Sequence, residues 1–288
     1  MYRSNTPVLP SELKLNPEVN HDLLSKLKAD VIFNVFYKIF DVVHADTPEL
    51  LEQAYRLRYK VFCEEHDGYE DPSKHPSGME TDHYDSNTEH ALLIYKPDNL
   101  PIGTIRIIKP NQESWSQSFP LQNLCDSPLI QNEIYVQNAC EFSRFCISRD
   151  LRNYVKQDLQ ERSKVFSAKN AGFFLPHEKM LLKVALAMAP LGLIRGAYEL
   201  ALKNNILNVI GVMESINIQR LAQAGLVYNT IGPTIEYHGK RVPFQCNILE
   251  VSEHAIQNNY PVWNVVSVKG KVHQDAVNVH NRKSQNLN

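Results

Sequence analysis

Residues 140–148, Cys-Glu-Phe-Ser-Arg-Phe-Cys-Ile-Ser, set two charges, Glu141 and Arg144, inside an otherwise apolar run with the pattern of a β-strand. Ions occupy such a strand only where partners offset their desolvation. The run therefore reads in two ways, as a buried structural ion pair or as the polar heart of a reactive site. The charges elsewhere in the chain decide between them.

With 288 residues, 43% hydrophobic and 22% charged, the composition excludes wholesale disorder and allows a substantial core. The expected division is an N-terminal arm (1–30), one domain (31–268) and a polar, disordered tail (269–288). A net charge of −2 gives no argument for nucleic acid. Residues 1–20 contain no signal-peptide apolar segment. The apolar run 31–43 is interrupted by Asn34, Lys38 and Asp41, and the run 184–194 contains Pro190 and Gly192; both fall short of the roughly 20 residues of a spanning helix. No transmembrane segment is therefore expected. The five cysteines form neither a CxxC pair nor a Cys/His metal spacing, so they read as reduced thiols of a cytoplasmic protein without a metal.

Charge is uneven along the chain. Residues 46–90 hold twelve acids against four bases, whereas residues 149–183 hold eight bases, among them Arg149, Arg152 and Lys156, against four acids. A basic segment of this kind reads as a solvated face or as a surface for an acidic macromolecule.

The chain opens with a short amphipathic helix expected near 21–29 and a first strand at 36–44. Asp46-Thr47-Pro48-Glu49 is a helix start, with Thr47 as cap and Pro48 in the first turn. The helix should run to about residue 64, with Leu50, Ala54, Leu57 and Val61 as its apolar stripe and Arg58 beside it, free to snorkel to solvent. Residues 65–85 are loop, ending in Asp82-His83-Tyr84-Asp85, whose two acids also suit the capping of a turn. Strands at 91–95 and 102–108 form a hairpin, and Arg106 interrupts the second. A short helix is expected at 120–125, then the Glu141 strand and a long basic connection. Helices at 179–189 and 191–204, a strand at 208–213, a helix at 215–224 and strands at 228–237 and 242–251 complete the chain. Antiparallel strands come first and α/β alternation later, which predicts an α/β (α+β) fold with a mixed sheet flanked by helices.

Arg58-x-x-x-Phe62, Asp82-x-x-Asp85, Arg106 and Glu141-x-x-Arg144, in this order, resemble the set that marks acyl-homoserine lactone synthases, which have the GNAT fold. The stretch 225–243, with Glu236-Tyr237-His238-Gly239-Lys240-Arg241-Val242-Pro243, resembles more closely the N-acyl amino acid synthases and the acyltransferases associated with PEP-CTERM/exosortase systems. The resemblance implies a GNAT-like, mostly antiparallel sheet with helices on both faces, and an enzyme that moves an acyl group to an amine. Two departures stand out. The lactone synthases carry a Trp after the first helix where this chain offers Tyr69, so S-adenosylmethionine is not carried over as acceptor. The Gln/Arg-x-x-Gly-x-Gly/Ala loop of CoA-using relatives is absent near 191–197. That favours an acyl carrier protein as donor, its phosphopantetheine arm carrying the acyl group, with Arg149, Arg152, Lys156 and Arg195 as docking residues; CoA is the second choice.

The expected reaction is transfer of a fatty acyl group from a thioester to a primary amine, with no tightly bound cofactor. Glu141 is the candidate base, directly or through one water; Arg58, Phe62, Asp82, Asp85, Arg106 and Arg144 are the candidate acceptor-binding residues. The arginines either grip an acceptor carboxylate or balance Asp82, Asp85 and Glu141. Rival readings are a lactone synthase proper, an acyl-CoA-dependent GNAT enzyme, covalent catalysis by Cys63, Cys140 or Cys146, and a non-catalytic module that binds an acyl chain or carrier protein.

Overall fold

The computed structural model describes the backbone of residues 17–66, 69–169 and 176–285, with side chains at 25–66, 69–162 and 180–285. In chain order the elements are α1 (Pro17–Ile39), β1 (Phe40–His44), α2 (Pro48–Tyr59), β2 (Thr88–Tyr95), β3 (Leu100–Ile108), α3 (Glu133–Val136), β4 (Ala139–Ile147), α4 (Arg149–Lys169), α5 (Pro176–Ala187) and α6 (Ala189–Lys203). The second half adds β5 (Asn208–Met213), α7 (Ser215–Gln223), β6 (Asn229–Thr230), β7 (Ile235–Glu236), β8 (Lys240–Asn247), α8 (Ile248–Asn258), α9 (Tyr260–Val266) and α10 (Lys271–Gln285). The eight strands form one sheet in the order β1-β2-β3-β4-β5-β8-β6, with β7 pairing β8. Only β4 and β5 run parallel.

Side-chain alternation on β2 explains the layering. Leu92 and Ile94 pack against Ala54 and Leu57 of α2 on one face, while Ala91, Leu93 and Tyr95 join the main core on the other. A strand covered on both faces reads as a continuous apolar run, as 91–95 does. Helix α6 presses closely on the second face. A Cβ on Gly196 would lie 2.7 Å from Ala91 Cβ and 2.8 Å from Val42 Cγ1, and one on Gly192 would lie 2.9 Å from Phe36. Gly196→Val is therefore expected to destabilise by about 1–3 kcal/mol through overpacking, read from urea unfolding; an unchanged midpoint would contradict this packing.

Several expected boundaries move. Helix α1 begins inside the expected arm and takes residues 36–39 from the expected first strand, because Ala29, Ile32, Phe36 and Ile39 repeat at helical spacing toward the core. Tyr37 Oη donates to Val265 O at 2.8 Å, tying α1 to α9. The strand expected at 242–251 stops at Asn247, whose side chain accepts from the N–H groups of Leu249 and Glu250 and so starts α8. The tail expected to be disordered contains α10, where Val272, Ala276 and Val279 make a narrow buried stripe in a polar sequence. The basic connection after Arg149 is a helix over most of its length, held by Val155 and Leu159 in the core. Residues 170–175 lie outside the described ones. No single described helix is long and apolar enough to cross a membrane.

Candidate active site

The local geometry of β4 builds the site. Arg106 pairs with Ser143 and Thr104 with Cys146, so Arg144 and Phe145 together stand opposite Ile105. That is a β-bulge, and Arg144 takes φ 51, a left-handed conformation uncommon outside glycine. In a regular strand, residues three apart face opposite sides. The bulge instead turns Arg144 toward the face that carries Arg106.

On that face three guanidinium groups are locked by the protein's own carboxylates. Arg58 donates from Nε to Glu80 at 2.6 Å and from Nη1 and Nη2 to both Asp85 oxygens at 2.7 and 3.0 Å. Arg106 grips Asp82 through two bonds of 2.8 and 2.7 Å, and also reaches Asp85 at 2.7 Å and Ser143 Oγ at 3.3 Å. Arg144 reaches Glu80 at 3.0 Å and Glu70 at 3.1 Å, with Asp82 3.4 Å away. Forked pairing of this kind makes burial of the ions tolerable. His90 completes the network: Arg58 can only donate, so His90 Nε2 accepts from it at 3.1 Å and its proton sits on Nδ1, which has no hydrogen-bond partner among the described residues.

This corrects two expectations. Arg58 does not snorkel to solvent: Arg58 and Arg106 are both 0% exposed and bonded to the protein's own carboxylates. Glu141 and Arg144 are not paired; Arg144 serves Glu70 and Glu80 instead. Asp82 and Asp85 do cap a turn, reciprocally, while holding the arginines. Asp82, at 22% side-chain exposure, and Glu70, at 19%, are the outermost groups of the network, with Arg144 at 9% between them and the buried ions. Glu70, Glu80 and His90 were not anticipated; the one signal for Glu80 is its place two residues before Asp82 in the same acid-rich loop.

Burial alone would raise the acids of this network, yet the hydrogen bonds and charges of Arg58, Arg106 and Arg144 prevail and hold Glu80, Asp82 and Asp85 below the ordinary carboxylate range. A depressed folded-state pKa stabilises above the unfolded value, near pH 4, and that stability is lost as pH falls through the depressed values. The contribution of these three acids to the thermal midpoint is expected to hold down to about pH 5 and to be lost steeply below about pH 4; circular dichroism that shows no fall by pH 2 would contradict the network.

Glu141 stands apart. It is 4% exposed, and its Oε2 accepts from Leu121 N–H at 3.0 Å. Gln122 fixes that donor, accepting from Phe119 N–H and donating to Ile130 O. Burial pushes the Glu141 carboxyl up to about 7, against the Leu121 N–H and the positive charges of Arg106 and Arg144.

The sheet opens beside it. The β4–β5 ladder ends at Phe142 and Gly211, after which β4 continues only along β3 and β5 only along β8. From Ser143 onward the edge of β4 that faces β5 has no strand partner, leaving backbone donors at the parting. Next to it Phe62 lies in the π-helical turn Lys60–Glu65 that ends α2. Its ring stacks on Tyr69 at 4.7 Å, with the Arg144 guanidinium 5.6 Å from its centroid. Tyr69 thus occupies the neighbourhood where the resemblance placed an aromatic residue.

The thiols of Cys63, Cys140 and Cys146 are disfavoured as thiolates. Burial pushes Cys63 up to about 11 and Cys146 up to about 12, and raises Cys140 as well. Among the described residues no group of three His, Cys, Asp or Glu side chains is placed to hold a metal ion. Of the expected docking residues, Arg149, Arg152 and Lys156 are exposed on α4. Arg195 is not with them: it is bonded to Glu199 at 3.0 Å, lies over the Tyr37 ring and is only 15% exposed. Its surroundings are the β1–α6 face, so it is withdrawn from the docking set.

Residues 57–159 match the family described as the acetyltransferase (GNAT) domain. No curated protein matches the chain. Among solved structures, TofI in a ternary complex with an inhibitor and MTA is 17% identical, with 78% of this chain and 99% of that one covered at a TM-score of 0.48. The CoA-dependent acyl-homoserine lactone synthase BjaI, with SAM and isopentyl-CoA, is 18% identical over 80% of this chain and 88% of its own, with a TM-score of 0.45. FeeM, an N-acyl amino acid synthase from uncultured soil microbes, is 13% identical over 77% and 97%, with a TM-score of 0.45. The chain has a GNAT-like fold, and the segment that matches the GNAT domain contains Glu141 and every member of the charged network.

Proposed function

We propose that this chain is an N-acyltransferase that moves a fatty acyl group from the phosphopantetheine thioester of an acyl carrier protein to a primary amine, giving an N-acyl amide. The observation that carries the reading is Glu141: a buried carboxyl raised to about 7, beside the place where β4 and β5 part. A base is most effective when its pKa lies near the working pH. The neutral amine attacks the thioester carbon and forms the C–N bond, while backbone N–H groups of β4 steady the oxyanion. Glu141 takes the proton that the nitrogen must lose. The C–S bond then breaks, and that proton passes to the departing thiolate, so amide and free thiol leave with Glu141 restored.

The carrier protein as donor is supported by two features. Gly192 and Gly196, the glycines near the position of a pyrophosphate loop, are used to seat α6 on the sheet. Arg152 and Lys156 stand exposed four apart on α4, with no ion pair to the described residues, as a basic surface for an acidic partner. The resemblance of residues 236–243 supports, within this class, the branch associated with PEP-CTERM/exosortase systems, and five unpaired cysteines suit a cytoplasmic setting.

Thiol release from octanoyl-loaded carrier protein and from octanoyl-CoA, each with and without a mixture of primary amines, tests the reading. Release is expected to depend on amine and to favour the carrier protein. Arg152→Glu with Lys156→Glu is expected to raise KM for the carrier protein about tenfold and to leave kcat within about twofold. Amine-independent release contradicts the transfer; equal use of both donors, unmoved by charge reversal, contradicts the donor.

A further inference from the structure

The turn between β7 and β8, residues 237–239, closes over the site from outside the segment that matches the GNAT domain. His238 and Gly239 both take left-handed backbone, φ 49 and 90, and Tyr237 N–H donates to Gly239 O at 2.9 Å. The tight turn lays the His238 imidazole flat on Tyr69, centroids 4.2 Å apart and planes at 16°. Tyr69 in turn stacks on Phe62. Tyr237 packs edge-on against His238 at 4.8 Å. Tyr84 packs against the apolar cluster that contains Leu121, whose N–H holds Glu141. Burial raises the hydroxyls of both Tyr69 and Tyr84, and Tyr237 adds a little to the effect on each. Beyond the turn, Arg241 anchors to Glu214 at 3.2 Å.

We infer that Tyr237 and His238 form the outer wall of the acceptor pocket and set which primary amines enter it. The inference rests on the acyltransferase reading. The ring of Tyr69 is stacked between Phe62 and His238, so no aromatic shelf is left for a ring on the acceptor. The pocket takes compact primary amines and rejects those that carry an aromatic ring. Removing the imidazole uncovers Tyr69 and admits a flat substituent in its place, where stacking stabilises it.

The test uses the full chain, octanoyl-loaded carrier protein, and ethanolamine, glycine, phenylalanine and tyramine as acceptors. Wild type is expected to favour ethanolamine and glycine. His238→Ala is expected to raise the ratio of kcat/KM for tyramine over ethanolamine at least about tenfold, with KM for the carrier protein within about twofold. His238→Asn keeps a polar side chain in the turn without the ring, and the same change in ratio is expected from it; it serves if the Ala variant does not fold. An unchanged ratio in a folded variant overturns the inference, as does loss of activity toward all four amines, which would place His238 in the chemistry instead. Absence of amide from the wild-type protein with every amine tested is a different result, and refutes the acyltransferase reading itself.

Discussion

Glu141→Gln is expected to lower acyl transfer by about 10²–10⁴-fold while raising stability at alkaline pH. The amide keeps the shape of the carboxyl and can still accept from Leu121 N–H, so the fold has no reason to change. What disappears is the ability to take a proton from the amine. The stability change has the opposite sign from that of the other acids. Glu141 is raised to about 7 in the folded chain, against roughly 4.3 when unfolded. Between these values the folded state binds more protons, so wild-type stability falls as pH rises through that window and levels off above about 7. Glutamine carries no such penalty. A Gln variant that is inactive and also more stable than wild type at pH 8 in urea unfolding therefore marks a base held at a cost. A variant that keeps full turnover removes Glu141 as base; one that loses stability at pH 8 shows the carboxylate to be a structural anchor.

Arg58→Ala is expected to be the most destabilising single change in the network, by about 3–5 kcal/mol at neutral pH. The guanidinium is fully buried and joined to Glu80, Asp85 and His90. Its loss leaves two buried carboxylates short of a partner, while Arg106 and Arg144 retain theirs. Those carboxylates then resist ionisation, so the deficit relative to wild type should shrink as pH falls toward 4. Chemical unfolding at pH 7 and near pH 4.5 reads both effects. A deficit equal at the two pH values would show that lost packing, rather than unpaired charge, dominates. Arg58→Lys restores the charge without the fork and is expected to recover only part of the loss.

How far the sequence carries the account depends on whether a signal is local. Thr47 and Pro48 start α2 as read, because capping chemistry is contained within a few residues. Arg106 and Glu141 were legible because charges inside apolar runs demand partners, whereas Arg58, Asp82 and Asp85 entered the candidate set through the resemblance. Their pairing was not legible. Glu80 reaches Arg58 across the fold from a loop that carries many other acids, and His90 looks like any polar residue at a strand start. Three-residue spacing cannot show the bulge that turns Arg144 onto the face of Arg106, nor that Arg144 there pairs with Glu70 and Glu80 rather than with Glu141. Helix α10 was missed because three small apolar residues suffice to dock it when α6 and α8 already supply the opposing surface. Arg195 carried its charge into the expected docking set, but Glu199, one turn along the same helix, claims it.

The central claim is that Glu141, at the parting of β4 and β5, draws a proton from an amine as a thioester is cleaved. Mass-spectrometric measurement of N-acyl amide from octanoyl-loaded carrier protein and a mixture of primary amines, made with wild type and Glu141→Gln side by side, tests it most directly. The account predicts amide from the wild-type protein and a loss of about 10²-fold or more in the variant. Equal amide from both proteins, or none from wild type, would contradict it.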